Sequence, residues 1–161
     1  MSDTRLYTVI IYTENKPGIL YRIADVFLKR KINVESLTVS EIETAHMSRF
    51  TVVIKAERAE VEKIVKQLYK IVEVTKVLEK VDNELIFREI ALIKVAIKNP
   101  GQRQEIENFA LLFSAKIVHV SENSVTIEKS GTEEEIDSLY TRLKPFGIKE
   151  IVRSGRIALI K

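Results

Sequence analysis

The sequence predicts an α+β fold made of two ferredoxin-like βαββαβ domains, each an antiparallel sheet with helices on one face. Short runs rich in Val, Ile, Tyr and Thr predict strands, and apolar residues at helical spacing predict helices. The predicted order is β-α-β-β-α-β, and it then occurs a second time. Turns containing Asn, Pro and Gly lie at equivalent places in both halves, with Gly18 and Gly101 83 positions apart. These observations favour an internal duplication, with two unrelated Pro-Gly turns as the alternative.

The first half contains four predicted strands and two predicted helices. Its strands are marked by β-branched and aromatic residues, which pack well on a pleated surface. Its helices are marked by apolar residues three and four positions apart. An irregularity is expected in the second strand near Glu35 and Ser36. In chain order the elements are a strand over 6–13, a helix over 19–28, strands over 32–39 and 50–54, a helix over 61–69 and a strand over 71–78.

The second half is predicted to begin after a polar linker. Residues 80–84 form this linker, so the predicted domains are 1–79 and 85–161. Thr132 precedes three glutamates, which indicates a helix start with a capping hydroxyl and acids that favour the helix dipole. The elements are a strand over 90–97, a helix over 106–113, strands over 116–120 and 124–128, a helix over 136–143, and strands over 148–152 and 157–160.

Composition excludes several classes of protein. The chain has 161 residues, 45% hydrophobic and 30% charged, which is enough to build a core and argues against disorder. The net charge of +3 is spread along the chain, so no basic stripe supports nucleic-acid binding. No apolar run approaches the ~20 residues that span a bilayer. The absence of cysteine excludes disulfides and thiolate metal sites and favours a cytoplasmic protein.

No catalytic, cofactor-binding or metal-binding motif is present in the sequence. His46 and His119 belong to different halves, so metal ligation is not predicted. The sequence contains no P-loop, no dinucleotide-binding glycine pattern and no nucleophile elbow. We therefore predict a non-catalytic chain, with two alternatives left open. These are a free-standing amino-acid-binding regulator and an unrecognised small enzyme on a ferredoxin-like scaffold.

The junction at residues 14–22 is the strongest candidate for a site. It lies where a predicted strand ends and an amphipathic helix begins, and it contains Gly18. A helix N-terminus leaves about four N–H groups without partners and carries a partial positive charge, which suits a small anion such as an amino-acid carboxylate. The pattern therefore favours a sensor of small ligands. The simpler interpretation is that the turn needs a glycine for a positive φ.

Several motifs resemble one family. Asn15, Gly18, Leu20 and Arg22 at their spacing, followed by the string from Asn33 to Val39, resemble the small regulatory subunit of acetolactate synthase (acetohydroxyacid synthase). Further similar segments are 48–51, 67–74, 88–95 and 153–156.

This resemblance implies an N-terminal ACT domain that binds an amino-acid effector and a C-terminal ACT-like domain. It implies a homodimer that binds and activates the catalytic (large) subunit of a transferase in branched-chain amino-acid biosynthesis. Valine or another branched-chain amino acid would inhibit through the ACT domain. Thiamine diphosphate, magnesium and FAD would be carried by the catalytic partner, and this chain would carry no cofactor.

The resemblance also implies an effector site at the interface of two ACT domains. The N–H groups of Gly18, Ile19 and Leu20 are expected to hold the valine carboxylate. Asn15 would bind its polar groups, and Asn33 of the partner subunit would complete the site.

The chain departs from the family at Tyr21, where relatives often have a small residue, and at Lys31, where they often have glycine. The second turn, at Asn99–Gly101, is not predicted to hold valine. Four arginines are candidates for contact with the catalytic subunit or for ordinary ion pairs within the chain. They are Arg49, Arg88, Arg153 and Arg156.

Overall fold

A computed structural model describes residues 3–161, and the first two residues of the predicted N-terminal domain lie outside the described residues. The chain divides into two compact units. The first runs to Phe87 and takes in Arg156–Lys161, and the second is Arg88–Gly155. None of the described helices combines the length and apolar character that crossing a membrane requires.

The first unit contains an antiparallel sheet in the strand order β2-β3-β1-β4, with two helices. The predicted irregularity in β2 is confirmed, because the register with β3 shifts between Val34 and Ser36. Ile71 and Val72, predicted to begin the fourth strand, lie instead in the turn before it, where Val74 N–H donates to Ile71 O at 3.0 Å. The elements are β1 Thr4–Glu14, α1 Ile19–Lys29, β2 Val34–Glu41, β3 Met47–Glu57, α2 Arg58–Leu68 and β4 Val74–Lys80.

The second unit repeats this topology. Its sheet has the order β6-β7-β5-β8, which is the same arrangement as in the first unit. The predicted helix start is confirmed, since Thr132 Oγ1 accepts from Glu135 N–H and Glu135 Oε2 accepts from Thr132 N–H. The elements are β5 Leu85–Ala96, α3 Pro100–Leu112, β6 Lys116–Ser121, β7 Ser124–Gly131, α4 Glu133–Leu143 and β8 Ile148–Arg153, and the chain ends with β9 Ile157–Ile160.

The two-domain ferredoxin-like fold is therefore as predicted, but the ends of the second predicted domain differ. β5 begins at Leu85, and its first residues belong to the first unit. Residues 156–161, predicted to finish the second domain, also belong to the first unit, where β9 pairs with β5. The reason is burial, because Leu85, Ala158 and Ile10 pack together in a cluster from which water is excluded.

The first sheet is buried on both faces. Val9 and Ile11 pack with Ile23 of α1 in the main core. Ile10 points to the opposite face, since successive strand residues alternate, and it packs against Leu85 and Ala158. Helices thus cover one face of this sheet, and the end of the chain helps to cover the other.

Helix ends supply independent support for a duplicated unit. At the end of α1, Lys31 has φ 54° and Ile32 N–H donates to Phe27 O at 3.1 Å. At the end of α3, Ser114 has φ 52° and Ala115 N–H donates to Ala110 O at 2.7 Å. Both ends form the same left-handed cap at the 83-residue offset found in the sequence.

Candidate functional site

The β1–α1 turn presents an open helix N-terminus. Gly18 has φ +83°, and a Cβ placed on it would have no heavy atom within 4 Å, so the space beside it is free. No side chain caps α1, and its first turn has no acidic residue. Among the described residues, the N–H groups of Gly18 and Leu20 have no hydrogen-bond acceptor. The positive end of the helix therefore faces solvent.

Ile19 does not match its predicted role as a donor. Its N–H donates to Lys16 O at 3.3 Å, which closes the turn before the helix. Its side chain is buried in the main core with Ile23. The turn therefore leaves two of the three predicted donors available, and Ile19 anchors the helix start.

Asn15 is fixed to the end of β2 and to the loop that precedes β3. Its backbone N–H donates to His46 O at 2.8 Å, and its side-chain amide donates to Glu41 Oε1 at 2.6 Å. Glu41 is the last residue of β2, so this bond ties the turn to the edge of the sheet. An amide whose nitrogen donates in one direction keeps its oxygen as an acceptor.

Two ion pairs lie on the β4 side of the turn. Lys16 Nζ lies 2.5 Å from Glu14 Oε2, and Arg22 lies 2.7 Å from Glu73 Oε1. The hydrogen bond from Arg22 holds the pKa of Glu73 below its ordinary value. The cations near the helix start are thus already paired within the chain.

The end of β1 also contains a buried polar atom without a partner. Thr13 is 0% exposed, and its Oγ1 has no hydrogen-bond partner among the described residues. Strand alternation places Thr13 on the same face of the sheet as Ile11, which packs against α1. Unsatisfied buried polar atoms are uncommon and call for an explanation.

Asn33 is not brought to this turn within one chain. It is exposed and precedes β2, whereas Asn15 is bonded to Glu41 at the far end of β2. The eight-residue strand spans about 26 Å. Four of the five predicted site residues, Asn15, Gly18, Ile19 and Leu20, therefore lie together, and Asn33 lies apart from them.

β2 is an edge strand with an apolar side. It pairs only with β3 within the described sheet. Leu37 and Val39 lie opposite Val52 and Phe50, which belong to the helix-facing core, yet they are 40% and 43% exposed. A strand with one unpaired edge and exposed apolar residues is typical of a surface that pairs with another chain.

The second turn differs in chemistry from the first. Asn99 caps α3 by accepting from Gln102 N–H at 2.9 Å, and Pro100 is in the first turn of the helix. Gly101 lies inside this helix and does not have a positive φ. At the N-terminus of α3, the N-cap residue Asn99 therefore supplies an acceptor for a backbone N–H group.

The contacts of Arg49, Arg153 and Arg156 lie within the chain. Arg156 is 2% exposed and bonds Asp82 and Thr8. Arg153 pairs with Glu89 and Asp137, and Arg49 donates to Ala158 O. For these three, the structure supports the ion-pair or structural alternative that the sequence left open.

Sequence reasoning missed Glu41 as a neighbour of the turn. It lies 26 positions from Asn15, and the bond between them depends on how β1 and β2 are arranged in the sheet. No local pattern around Glu41 indicates this contact, since the sequence places Glu41 at the start of a polar connection between two predicted strands.

Comparisons with known proteins give the same architecture. The family profile described as "AHAS small subunit-like ACT domain" matches residues 9–76, and that described as "Small subunit of acetolactate synthase" matches residues 88–161. The acetolactate synthase small subunit of Mycolicibacterium smegmatis is 40% identical over 98% of this chain and 92% of its own. That of Bacillus subtilis is 41% identical over 91% of this chain and 86% of its own.

The similarity to a solved structure extends over nearly the whole chain. The acetolactate synthase small subunit of Thermotoga maritima has a TM-score of 0.89 and 34% sequence identity, covering 98% of both chains. The repeated βαββαβ units are thus of the ACT type. The chain belongs to the acetolactate synthase small-subunit family, which implies a regulatory role in branched-chain amino-acid biosynthesis.

Proposed function

We propose that this chain binds and activates the catalytic subunit of acetolactate synthase and confers feedback inhibition by valine. Valine binds at an interface between two copies of the first unit. The chain itself is non-catalytic, and the thiamine diphosphate, magnesium and FAD belong to the catalytic partner. The observation that carries the proposal is the uncapped N-terminus of α1 at Gly18, beside an unpaired edge strand.

The carboxylate of valine is held by the N–H groups of Gly18 and Leu20. These donors have no acceptor among the described residues, both residues are exposed, and the space beside Gly18 is open. The helix dipole adds a favourable interaction with a negative group. The side-chain oxygen of Asn15 remains to accept from the ligand.

A two-fold dimer through β2 supplies the remaining residue. Antiparallel pairing of two β2 strands centred near Leu37 brings Asn33 of the partner subunit opposite Glu41, because these two residues are equidistant from Leu37 in sequence. Glu41 is bonded to Asn15. Asn33 of the partner subunit therefore lies near the turn, although Asn33 of the same chain does not. The pairing also covers Leu37 and Val39, which are exposed in one chain.

The expected affinity suits a metabolic sensor. Burying a valine side chain contributes roughly 1.5–3 kcal/mol, and each hydrogen bond to a charged group contributes roughly 1.5–3 kcal/mol. After the cost of immobilisation, binding of about −4 to −8 kcal/mol corresponds to millimolar to micromolar affinity. An extra methylene changes binding by only about 1–3 kcal/mol, so leucine and isoleucine bind as weaker or comparable effectors. Valine regulates because it binds inhibited and active arrangements unequally.

Reconstitution with the catalytic subunit tests the proposal. The chain is expected to raise turnover, and valine to lower it. Gly18→Asp should keep the stimulation but lose the valine response, because a carboxylate then lies beside the ligand carboxylate. Gly101→Asp is the matched control, since it adds the same charge at the capped second turn, and it should leave valine inhibition unchanged. Unaltered valine inhibition with Gly18→Asp would contradict the site assignment.

A further inference from the structure

The β1–α1 turn is surrounded by three glutamates that differ in their partners. Glu14 pairs with Lys16, and Glu73 pairs with Arg22. Glu41 forms no ion pair with any cation of residues 3–161, and its Oε1 accepts only the neutral amide of Asn15. Glu41 is therefore an exposed carboxylate at this turn without a cationic partner among residues 3–161.

An amino-acid effector would bring the missing cation. Its ammonium and carboxylate are attached to the same carbon, so a carboxylate held by Gly18 and Leu20 N–H places the ammonium within a few ångströms of that point. Asn15 lies three positions before Gly18 in the same closed turn, and its amide nitrogen points to Glu41. The oxygen of this amide and the free oxygen of Glu41 form an acceptor pair suited to an ammonium group.

We propose that Glu41 accepts the ammonium group of the effector and thereby restricts the site to α-amino acids. This inference rests on the proposed function, because it takes the carboxylate-binding role of the turn as given. It adds a specificity determinant at the end of the edge strand. A branched carboxylic acid without an amino group satisfies the helix N-terminus but leaves Glu41 unpaired next to the ligand carboxylate.

A second observation supports a polar ligand at this end of β1. Thr13 Oγ1 is fully buried without a partner among the described residues, two positions before Asn15 and on the sheet face that carries α1. The chain thus leaves a neutral and an anionic polar group without full satisfaction at the same strand end. A ligand with polar groups at this end of the strand would give Glu41 a cationic partner, and its binding would have to open the packing around Thr13 to reach Oγ1.

Calorimetric titration with valine and with 3-methylbutanoate, which is valine without its amino group, tests this inference. The full chain is titrated together with its catalytic subunit. Wild-type protein should bind valine about tenfold or more tightly than 3-methylbutanoate. Glu41→Gln still accepts the Asn15 amide but carries no charge, so the preference should fall to about threefold or less. Glu41→Asp should retain part of the preference for valine over 3-methylbutanoate.

Glu43→Gln is the matched control, because it removes the same charge two residues further along the loop. It should keep the wild-type preference. An unchanged preference in Glu41→Gln would overturn the inference while leaving valine binding intact. Failure of the wild-type complex to bind valine at all would instead overturn the effector proposal, and this inference with it.

Discussion

The guanidinium of Arg156 lies 4.0 Å from the centroid of the Phe87 ring. The same group donates to Thr8 Oγ1 at 3.2 Å and to Asp82 Oδ1 at 2.6 Å. Thr8 is on β1 and fully buried, so the contact fixes the end of the chain to the central strand of the first sheet. If Arg156 is removed, the buried Thr8 hydroxyl loses its partner without access to water, and the Phe87 ring loses the guanidinium stacked on it.

We expect Arg156→Ala to lower the free energy of unfolding by about 2–3 kcal/mol. The variant loses the stacking on Phe87 and both hydrogen bonds, whereas Asp82 is partly exposed and regains water. Urea denaturation measures the change. Arg58→Ala, which removes an exposed i,i+4 partner of Glu62, is the control and should change stability by less than about 0.5 kcal/mol. Equal effects of the two substitutions would contradict the role of Arg156 in fixing the end of the chain to β1.

Lys31→Gly should stabilise the chain by about 0.5–1 kcal/mol. Lys31 has φ 54°, a conformation that costs an L-residue more than glycine, and it terminates α1 with a left-handed cap. Thermal denaturation of the two proteins gives the difference. Lys29→Gly, at the last residue of the helix, should instead destabilise by about 0.5–1 kcal/mol, because it introduces glycine into the last turn and removes the ion pair with Asp25. A loss of stability in both variants would show that the cap is not strained.

Glu89 should make stability depend on pH. Its burial, opposed by the charge of Arg153, raises the pKa of this carboxyl above 4.5. A raised pKa means that its contribution is present below the unfolded value and is lost as the pH rises through the folded value. The stability of wild type relative to Glu89→Gln should therefore fall as the pH rises above the ordinary pKa of a glutamate.

Glu73→Gln is the control, because its effect on stability should depend on pH with the opposite sign. The hydrogen bond from Arg22 lowers the pKa of Glu73, so the stability that this carboxylate contributes is present above 4.5 and lost as the pH falls. Urea unfolding at several pH values measures both variants. Parallel pH profiles for the two substitutions would contradict the account of Glu89.

Local chemistry explains which features were predictable from the sequence. The strands and helices, the cap at Thr132 and the irregularity near Glu35 depend on neighbouring residues, whose preferences are written in the chain. The return of residues 156–161 to the first unit is different in kind. It depends on Ile10, Leu85 and Ala158, which are far apart in sequence and meet only when the chain has folded.

The candidate site divides in the same way. Gly18 was predictable because its turn has a characteristic pattern, and its positive φ follows from that pattern. The bond between Asn15 and Glu41 spans 26 positions and depends on the strand order of the sheet. The engagement of Ile19 N–H by Lys16 O was missed because the number of residues between β1 and α1 determines which donors remain free.

The central claim is that one effector site is built from two chains, and a mixing experiment tests it most directly. Chains with Asn15→Ala and chains with Asn33→Ala are co-expressed, and valine binding is measured by calorimetry. Each variant alone should bind weakly. If Asn33 serves the partner's site, a mixed dimer contains one site without either substitution. With random pairing, roughly a quarter of all sites in the mixture are of this kind, and these sites should bind valine with wild-type affinity. If the mixture binds no better than the separate variants, Asn33 does not act across the interface.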